Sequence, residues 1–219
     1  MKKKLFTKII SYLMPVTTNT YESDYSGTIE ITMFNGKKMV DTENANYSYG
    51  SLQKILNFGL KKIPLQNINS ILVLGMGAGS VIDSLRKKFN YQKEITAVEI
   101  DPLMITIAKE EFGITNNQNT TILNDDAFKF LEHNKNSFDL VIIDLFIDTE
   151  VPDLAYNQNF SNLINNTTAH KGWFIFNAAL SHTNKTHAHT LEDYFKKYFH
   201  LQFFKKVRGT NTLLIGHKK

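Results

Sequence analysis

Residues 71–85 read ILVLGMGAGSVIDSL, with glycines at 75, 77 and 79 between an apolar run of strand length and a segment of helical period. A backbone this bare lets a ligand reach peptide groups that a Cβ would shield. A helix following at once adds unpaired N–H groups and the positive end of its dipole. The dinucleotide fingerprint G-x-G-x-x-G/A is only partly met, because Ser80 stands at its third position and Gly79 comes one place early. A tight strand–helix turn without a ligand is the plain alternative.

Outward from this loop, apolar runs of strand length alternate with helical periods, the pattern of a parallel sheet flanked by helices. It predicts strands at 71–74, 95–100, 120–123, 138–145 and 173–177, and helices at 80–89, 102–111, 126–133, 157–165 and 190–198. Asp101 can cap the helix that opens at Pro102, since proline suits the first helical position. The runs LQFFKKV and TLLIGH flank a short turn at 208–210, too short for a crossover helix, and so pair antiparallel. The first 65 residues differ in kind. There TIEITMF and KKMVDT flank Asn35-Gly36, a strong hairpin signal, and 47–60 reads as a helix leading into the sheet.

With 219 residues and 42% hydrophobic content, the chain suits one main domain with a small extension. It has no cysteine, which excludes disulfides and cysteine-ligated metal sites and agrees with a cytoplasmic location. The net charge of +4 hides a strong division, because 94–153 holds 13 of the 21 acids against three basic residues. The lysines elsewhere are scattered and form no aromatic-interleaved stripe, so no nucleic-acid partner is expected. The start, MKKKLFTKIISYLM, spaces Leu5, Ile9 and Leu13 by four, with Lys8 interrupting and no small-residue cleavage site after it. That pattern fits a short helix docked on the main domain, a partner or an anionic membrane surface rather than a signal peptide. No run approaches the roughly 20 apolar residues of a membrane span.

Three acids fall at the carboxyl ends of predicted strands, where open α/β sheets receive their ligands. Glu99 lies 24 residues after Gly75, the distance at which a carboxylate accepts hydrogen bonds from ribose hydroxyls. An exposed acid paired with a lysine is its alternative reading. Asp126 can cap the helix that follows it, read an adenine amino group, or do both. Asp144 closes the fourth strand inside DLVIIDLF and points into the same crevice.

Taken in order, ILVLGMGAGS, AVEIDP, LNDDAFKFL, FDLVIIDLF, LAYNQNF and GWFIFN resemble the spermidine synthase-like family within the class I S-adenosylmethionine-dependent methyltransferase fold, over 28–180. The resemblance implies an α/β, Rossmann-like methyltransferase fold in 66–219, mostly parallel with a C-terminal antiparallel hairpin. A small helix and β-hairpin extension would occupy 1–65. The cofactor implied is S-adenosylmethionine or its decarboxylated form. Gly75, Gly77 and Gly79 would wrap its methionine part, Glu99 would hold the ribose, Asp126 with Ala127 would read adenine, and Asp144 would face the substrate amine.

Departures from the family bear on the reaction. The family's G-G-G-D-G-G loop carries an aspartate for the aminopropyl donor's amine, and that position is Ala78. Its Tyr-His pair after the hairpin is here Tyr49-Gly50, and the aspartate three residues beyond the match to Asp144 is here Ile147, with Asp148 one place on. Asp144, Asp148, Glu150 and Asp153 form a carboxylate-rich loop that either binds a cation or is merely solvated. Tyr47, Tyr49 and Tyr156 either roof the acceptor cleft or pack half-buried beside it.

These departures favour methyl transfer from S-adenosylmethionine to a small-molecule acceptor, cationic if the acidic loop binds it. Asp144 would accept or orient the proton an amine must lose. Aminopropyl transfer from decarboxylated S-adenosylmethionine to a diamine is the alternative, and a non-catalytic nucleoside-binding scaffold is a third reading. A homodimer is left open. No metal site is expected: His182, His187 and His189 crowd one segment, yet no further ligand accompanies the His-x-His pair. Trp173, Phe174, Phe176, Phe203 and Phe204 read as core.

Overall fold

The computed structural model describes residues 2–42, 46–146, 150–178, 185–209 and 211–219, apart from the side chains of 2–4, 46–48, 51–52 and 185–189. Its amino-terminal part holds more than the expected hairpin. After α1 (Lys2–Ile10), strands β1 (Val16–Ser23), β2 (Gly27–Phe34), β3 (Lys37–Thr42) and β4 (Asn46–Ser48) form a four-stranded antiparallel sheet in sequential order. Asn35 and Gly36 both take left-handed φ, 49° and 72°, as the tight β2–β3 turn requires. β1, VTTNTYES, is a mostly exposed edge strand without an alternating apolar signal, which is why sequence periodicity missed it. The helix expected from Tyr47 opens only at Ser51, as α2 (Ser51–Leu60), because 46–48 pairs with β3 instead.

Downstream, the predicted alternation holds. β5 (Ser70–Leu74), α3 (Ser80–Asp83), β6 (Glu94–Glu99), α4 (Pro102–Phe112), β7 (Thr120–Asn124), α5 (Ala127–His133), β8 (Phe138–Ile143), α6 (Gln158–Thr167) and β9 (Thr168–Asn177) follow one another. α7 (Lys185–Phe195) then leads into the antiparallel pair β10 (Phe199–Val207) and β11 (Asn211–Lys218). Several boundaries differ from expectation, among them the end of β8 at Ile143 rather than 145 and the start of α7 at Lys185 rather than 190. The helix predicted at 80–89 splits into α3 and a π-helical turn at Ser84–Lys88, β9 begins at Thr168, and α7 ends at Phe195. Asp101 caps α4 by accepting the Leu103 N–H at 2.8 Å, and Gly113, with φ 70°, closes it.

The large sheet runs in the order β10-β11-β9-β8-β5-β6-β7, and β5 to β9 are mutually parallel. Side-chain alternation sends Ile71, Val73, Ile95, Leu140 and Ile142 to one face, against Ile55 and Leu56 of α2 and Val81 of α3. Leu72, Leu74, Val141, Ile143, Phe174 and Phe176 go to the other, against Leu131 of α5, Phe160 of α6 and Phe195 of α7. Because both faces are covered there, the central strands β5 and β8 are nearly all apolar rather than alternating in polarity, unlike the edge strands β7 and β10. Of the aromatics expected in the core, Phe174 and Phe176 are fully buried, whereas Trp173, Phe203 and Phe204 are partly buried at its margin.

The four-stranded sheet lies along α4. Ile29, Ile31 and Val40 pack on Met104, Ile107 and Ala78. At one end of α4 the Ser23 hydroxyl donates to Asp101 at 2.6 Å. At the other, Lys38 Nζ and Asn19 Nδ2 donate to Glu111 at 2.5 and 2.6 Å, and Tyr21 donates to the same carboxylate. The small sheet is thus clasped at both ends of one helix.

Candidate functional site

β5 lies between β6 and β8, so the connections after β5 and after β8 leave in opposite directions and open a crevice at the strands' carboxyl ends. Register fixes what lines it. Leu74 pairs with Val98 and with Ile143, Ile143 pairs with Phe176, and Glu99 pairs with Asn124. One residue beyond those pairs, Glu99, Gly75, Asp144 and Asn177 stand on a common level across four strands, with Asn124 beside Glu99. Gly75, Gly77 and Gly79 carry φ of 79°, 52° and 85°, a region that L side chains avoid. At Gly75 a Cβ would come within 2.3 Å of the Asp144 carbonyl oxygen, so only glycine lets the loop cross against β8 there. At Gly79 it would meet Ile114 at 2.9 Å.

Glu99 is 5% exposed. Its two oxygens accept the Gly77 N–H at 2.7 Å and the Asp101 N–H at 3.0 Å. Burial pushes the carboxyl above its ordinary range, and those backbone donors oppose the rise without cancelling it. Glu99 therefore pins the glycine loop and keeps lone pairs for further donors. Asp126 caps α5, its Oδ1 accepting from the N–H groups of Phe128 and Lys129 at 2.8 and 3.0 Å. Of the two sequence readings the cap is realised, and Oδ2 stays outside it. Ala127 is 7% exposed and packs among the α5–α6 side chains.

Asp144 sits just past β8, deep in the body of the protein yet partly open to solvent, as befits a group at the bottom of a cleft. Its backbone N–H donates to the Leu74 carbonyl at 2.9 Å, and among the described residues the one partner of its carboxylate is Asn177, whose Nδ2 donates at 2.8 Å. Burial pushes the carboxyl up to about 6, and the Asn177 bond only moderates that shift. Asn177 is fully buried and also accepts from Asn211 Nδ2 at 2.9 Å, tying β8 through β9 to β11. Sequence reading left Asn177 as a strand end. The signal was a lone amide closing the apolar run GWFIFN at the level of the other strand ends.

The substrate-side tyrosines are mainly packing groups. Tyr156 is 9% exposed and donates to the Ala178 carbonyl at 2.8 Å, and burial followed by Asp153 and Glu150 pushes its hydroxyl up to about 12. Tyr49 stacks on Phe112 with centroids 3.9 Å apart, and its buried hydroxyl has no partner among the described residues. Burial and then Asp83 raise that hydroxyl's pKa. Asp148 and His182 lie outside the described residues, as do the side chains of His187 and His189. Ala78 is fully buried between β2, β3 and α4. A separate surface hollow of about 510 Å³, lined by Leu60, Ile63, Phe89 and Tyr91 among others, includes none of the candidate site residues in its lining.

Comparison with known proteins bears on the fold and the family. The chain is 30% identical over 105 residues to a polyamine aminopropyltransferase of Sulfurisphaera tokodaii, a match covering 45% of this chain and 35% of that one. It therefore spans only about a third of that relative's length. Among solved structures, a probable spermidine synthase from Corynebacterium glutamicum superposes with a TM-score of 0.70 at 20% identity, covering 92% of this chain and 80% of that one. Human methyltransferase-like protein 13, solved in complex with SAH, superposes with a TM-score of 0.60 at 20% identity, covering 77% and 79%. At such identities the likeness is one of fold, the Rossmann-like methyltransferase fold with its closing antiparallel hairpin. The sequence likeness is more specific, because the family model of the spermine/spermidine synthase domain matches residues 52–214, from α2 through the first half of β11, and the chain belongs to that family.

Proposed function

We propose that this chain is a transferase that moves an aminopropyl group from decarboxylated S-adenosylmethionine to a small amine. The observation that carries the reading is Asp144, a deep carboxylate on the level of the glycine loop that takes one amide hydrogen bond from the described residues. Among the described residues no positive group acts on it, and an amine would supply one. Family membership and the names of the relatives favour aminopropyl over methyl transfer, the reverse of the preference drawn from the departures in sequence.

The residues suit an adenosyl sulfonium. Glu99 has lone pairs for ribose hydroxyls, Asp126 Oδ2 is outside its helix cap, and the left-handed glycines, whose own N–H groups are bonded to Val98, Glu99 and Met76, leave the loop without side chains so that a ligand can lie against it. A bound donor of this kind supplies an alkyl carbon already activated for in-line displacement, its sulfur leaving as a neutral thioether. What the chain contributes is alignment and exclusion of water. The acceptor nitrogen must shed a proton as it forms the new C–N bond, and Asp144, ionised above about pH 6, takes or orients it.

Methyl transfer remains a second reading on one observation. Ala78 stands where the resemblance implies the donor-side aspartate, and it is buried among Ile29, Ile31, Val40, Met104 and Ile107, which offer a donor amine no charge. One assay separates the readings. Putrescine is incubated with decarboxylated or intact S-adenosylmethionine, and products are identified by mass. Spermidine with methylthioadenosine is expected; N-methylputrescine with S-adenosylhomocysteine selects the second reading, and donor binding without any product selects a scaffold. Glu99→Gln should weaken donor binding in calorimetry by about 10-fold or more, since hydrogen bonds to a charged group contribute about 1.5–3 kcal/mol. Unchanged affinity would remove Glu99 from the site.

A further inference from the structure

α1 is amphipathic, yet it rests on the protein by its polar edge. Ser11, just beyond its last turn, is fully buried, its carbonyl accepting the Asn35 N–H at 2.8 Å and its hydroxyl the Gly36 N–H at 3.0 Å. That bond pair fixes the helix on the β2–β3 turn. The apolar side points away from the body: Leu5, Phe6, Ile9, Tyr12, Leu13 and Met14 are between 58% and 86% exposed. Single exposed apolar side chains are ordinary, whereas six within ten residues form a continuous patch that needs an occupant. Docking on the main domain, one of the sequence expectations for this helix, is therefore not how its apolar face is used.

We propose that this face lies on an anionic lipid surface. Charge complementarity selects that occupant. Lysines stand at 2, 3, 4 and 8, and the first acid in the chain is Glu22, so the whole stretch around the patch is positive. A second copy mating through the same face would bring two such lysine sets together without an acid from either. A leaflet supplies an apolar layer bordered by negative headgroups, matching a helix with an outward Leu/Phe/Ile side in a lysine-rich stretch of sequence. No described helix is long and apolar enough to cross a membrane, so contact is peripheral.

Vesicle flotation of the full chain tests this, with phosphatidylcholine alone or mixed with phosphatidylglycerol, at low and high salt. The chain should float with the anionic vesicles, stay down with phosphatidylcholine alone, and be released by salt. Lys8→Gln should weaken binding about five-fold, the effect of one lysine near an anionic surface. Leu5→Glu with Ile9→Glu should abolish flotation while circular dichroism and the thermal midpoint stay unchanged, since both side chains are exposed. The proposal is overturned if the parent never floats, or if the double variant floats equally well. It is also overturned if sedimentation shows a dimer, dissociated by those two substitutions, in place of vesicle binding.

Discussion

Two acids at the ends of α4 and one at the end of β8 are treated differently by the fold. Asp101 and Glu111, at the two ends of α4, are met by hydroxyl, amide and ammonium donors from the amino-terminal sheet. Burial alone would raise the Glu111 carboxyl, but Lys38, with Asn19 and Tyr21, brings it below its ordinary value. Asp144, at the end of β8, receives one side-chain amide and sits at about 6. Acids that fasten one sheet to another are supplied with donors by the fold. An acid kept deep with too few donors costs stability, and such groups mark sites that a ligand completes.

The largest effect should come from removing the underserved charge. Asp144→Asn keeps the shape and the Asn177 contact, yet should lower kcat on the order of 10²–10⁴, the usual worth of a positioned acid–base group. Donor binding, followed by calorimetry, should persist. Full activity in this variant would break the comparison, because Asp144 would then be another structural acid.

The same substitution should stabilise the protein. The folded carboxyl titrates near 6 against an ordinary 3.8. Between those values the folded state holds a proton that the unfolded chain has lost, so stability falls as pH rises through that window. Above it the penalty is complete, up to about 3 kcal/mol. Urea unfolding at about pH 8 should find Asp144→Asn more stable than the parent, with the gain vanishing toward pH 4. A loss of stability at the higher pH would contradict the assignment.

Glu111 should behave oppositely. Its carboxyl is depressed, so the stability it contributes is present above the ordinary carboxylate range and is lost as pH falls through the folded value. Glu111→Ala should cost about 1–2 kcal/mol near neutrality and leave kcat unchanged, because only the clasp on α4 is lost. The smallest effect sharpens the contrast. Asn177→Ala withdraws the bond that lowers the Asp144 pKa, so the acidic limb of the pH–rate profile should move upward by about one unit or less. An unmoved limb, with kcat reduced only uniformly, would leave Asn177 a packing residue.

Much of the site was legible because its signals are local. Glycines that need left-handed φ, a proline after Asp101 and acids following short apolar runs state their roles within a few residues. The misses have equally physical causes. β1 is an exposed edge strand whose polar residues pair only because β2 is beside it. The π-helical turn after α3 leaves no mark in side-chain period. For Tyr49 and Tyr156 the sequence left open a cleft roof or half-buried packing, and the structure stacks Tyr49 on Phe112 and bonds Tyr156 to the Ala178 carbonyl.

Sequence alone determined a parallel sheet, its closing hairpin, a bare loop after the first of its strands, and acids at the strand ends. All of these rest on period, turn chemistry and capping, which act over neighbouring residues. Tertiary structure decided that β8 lies against β5, which brings Asp144 beside Gly75 and under Asn177. It also decided that α1 turns its apolar side outward, through one buried serine on a distant turn. Strand order and helix orientation are set by contacts between residues far apart in the chain, and no local pattern encodes them.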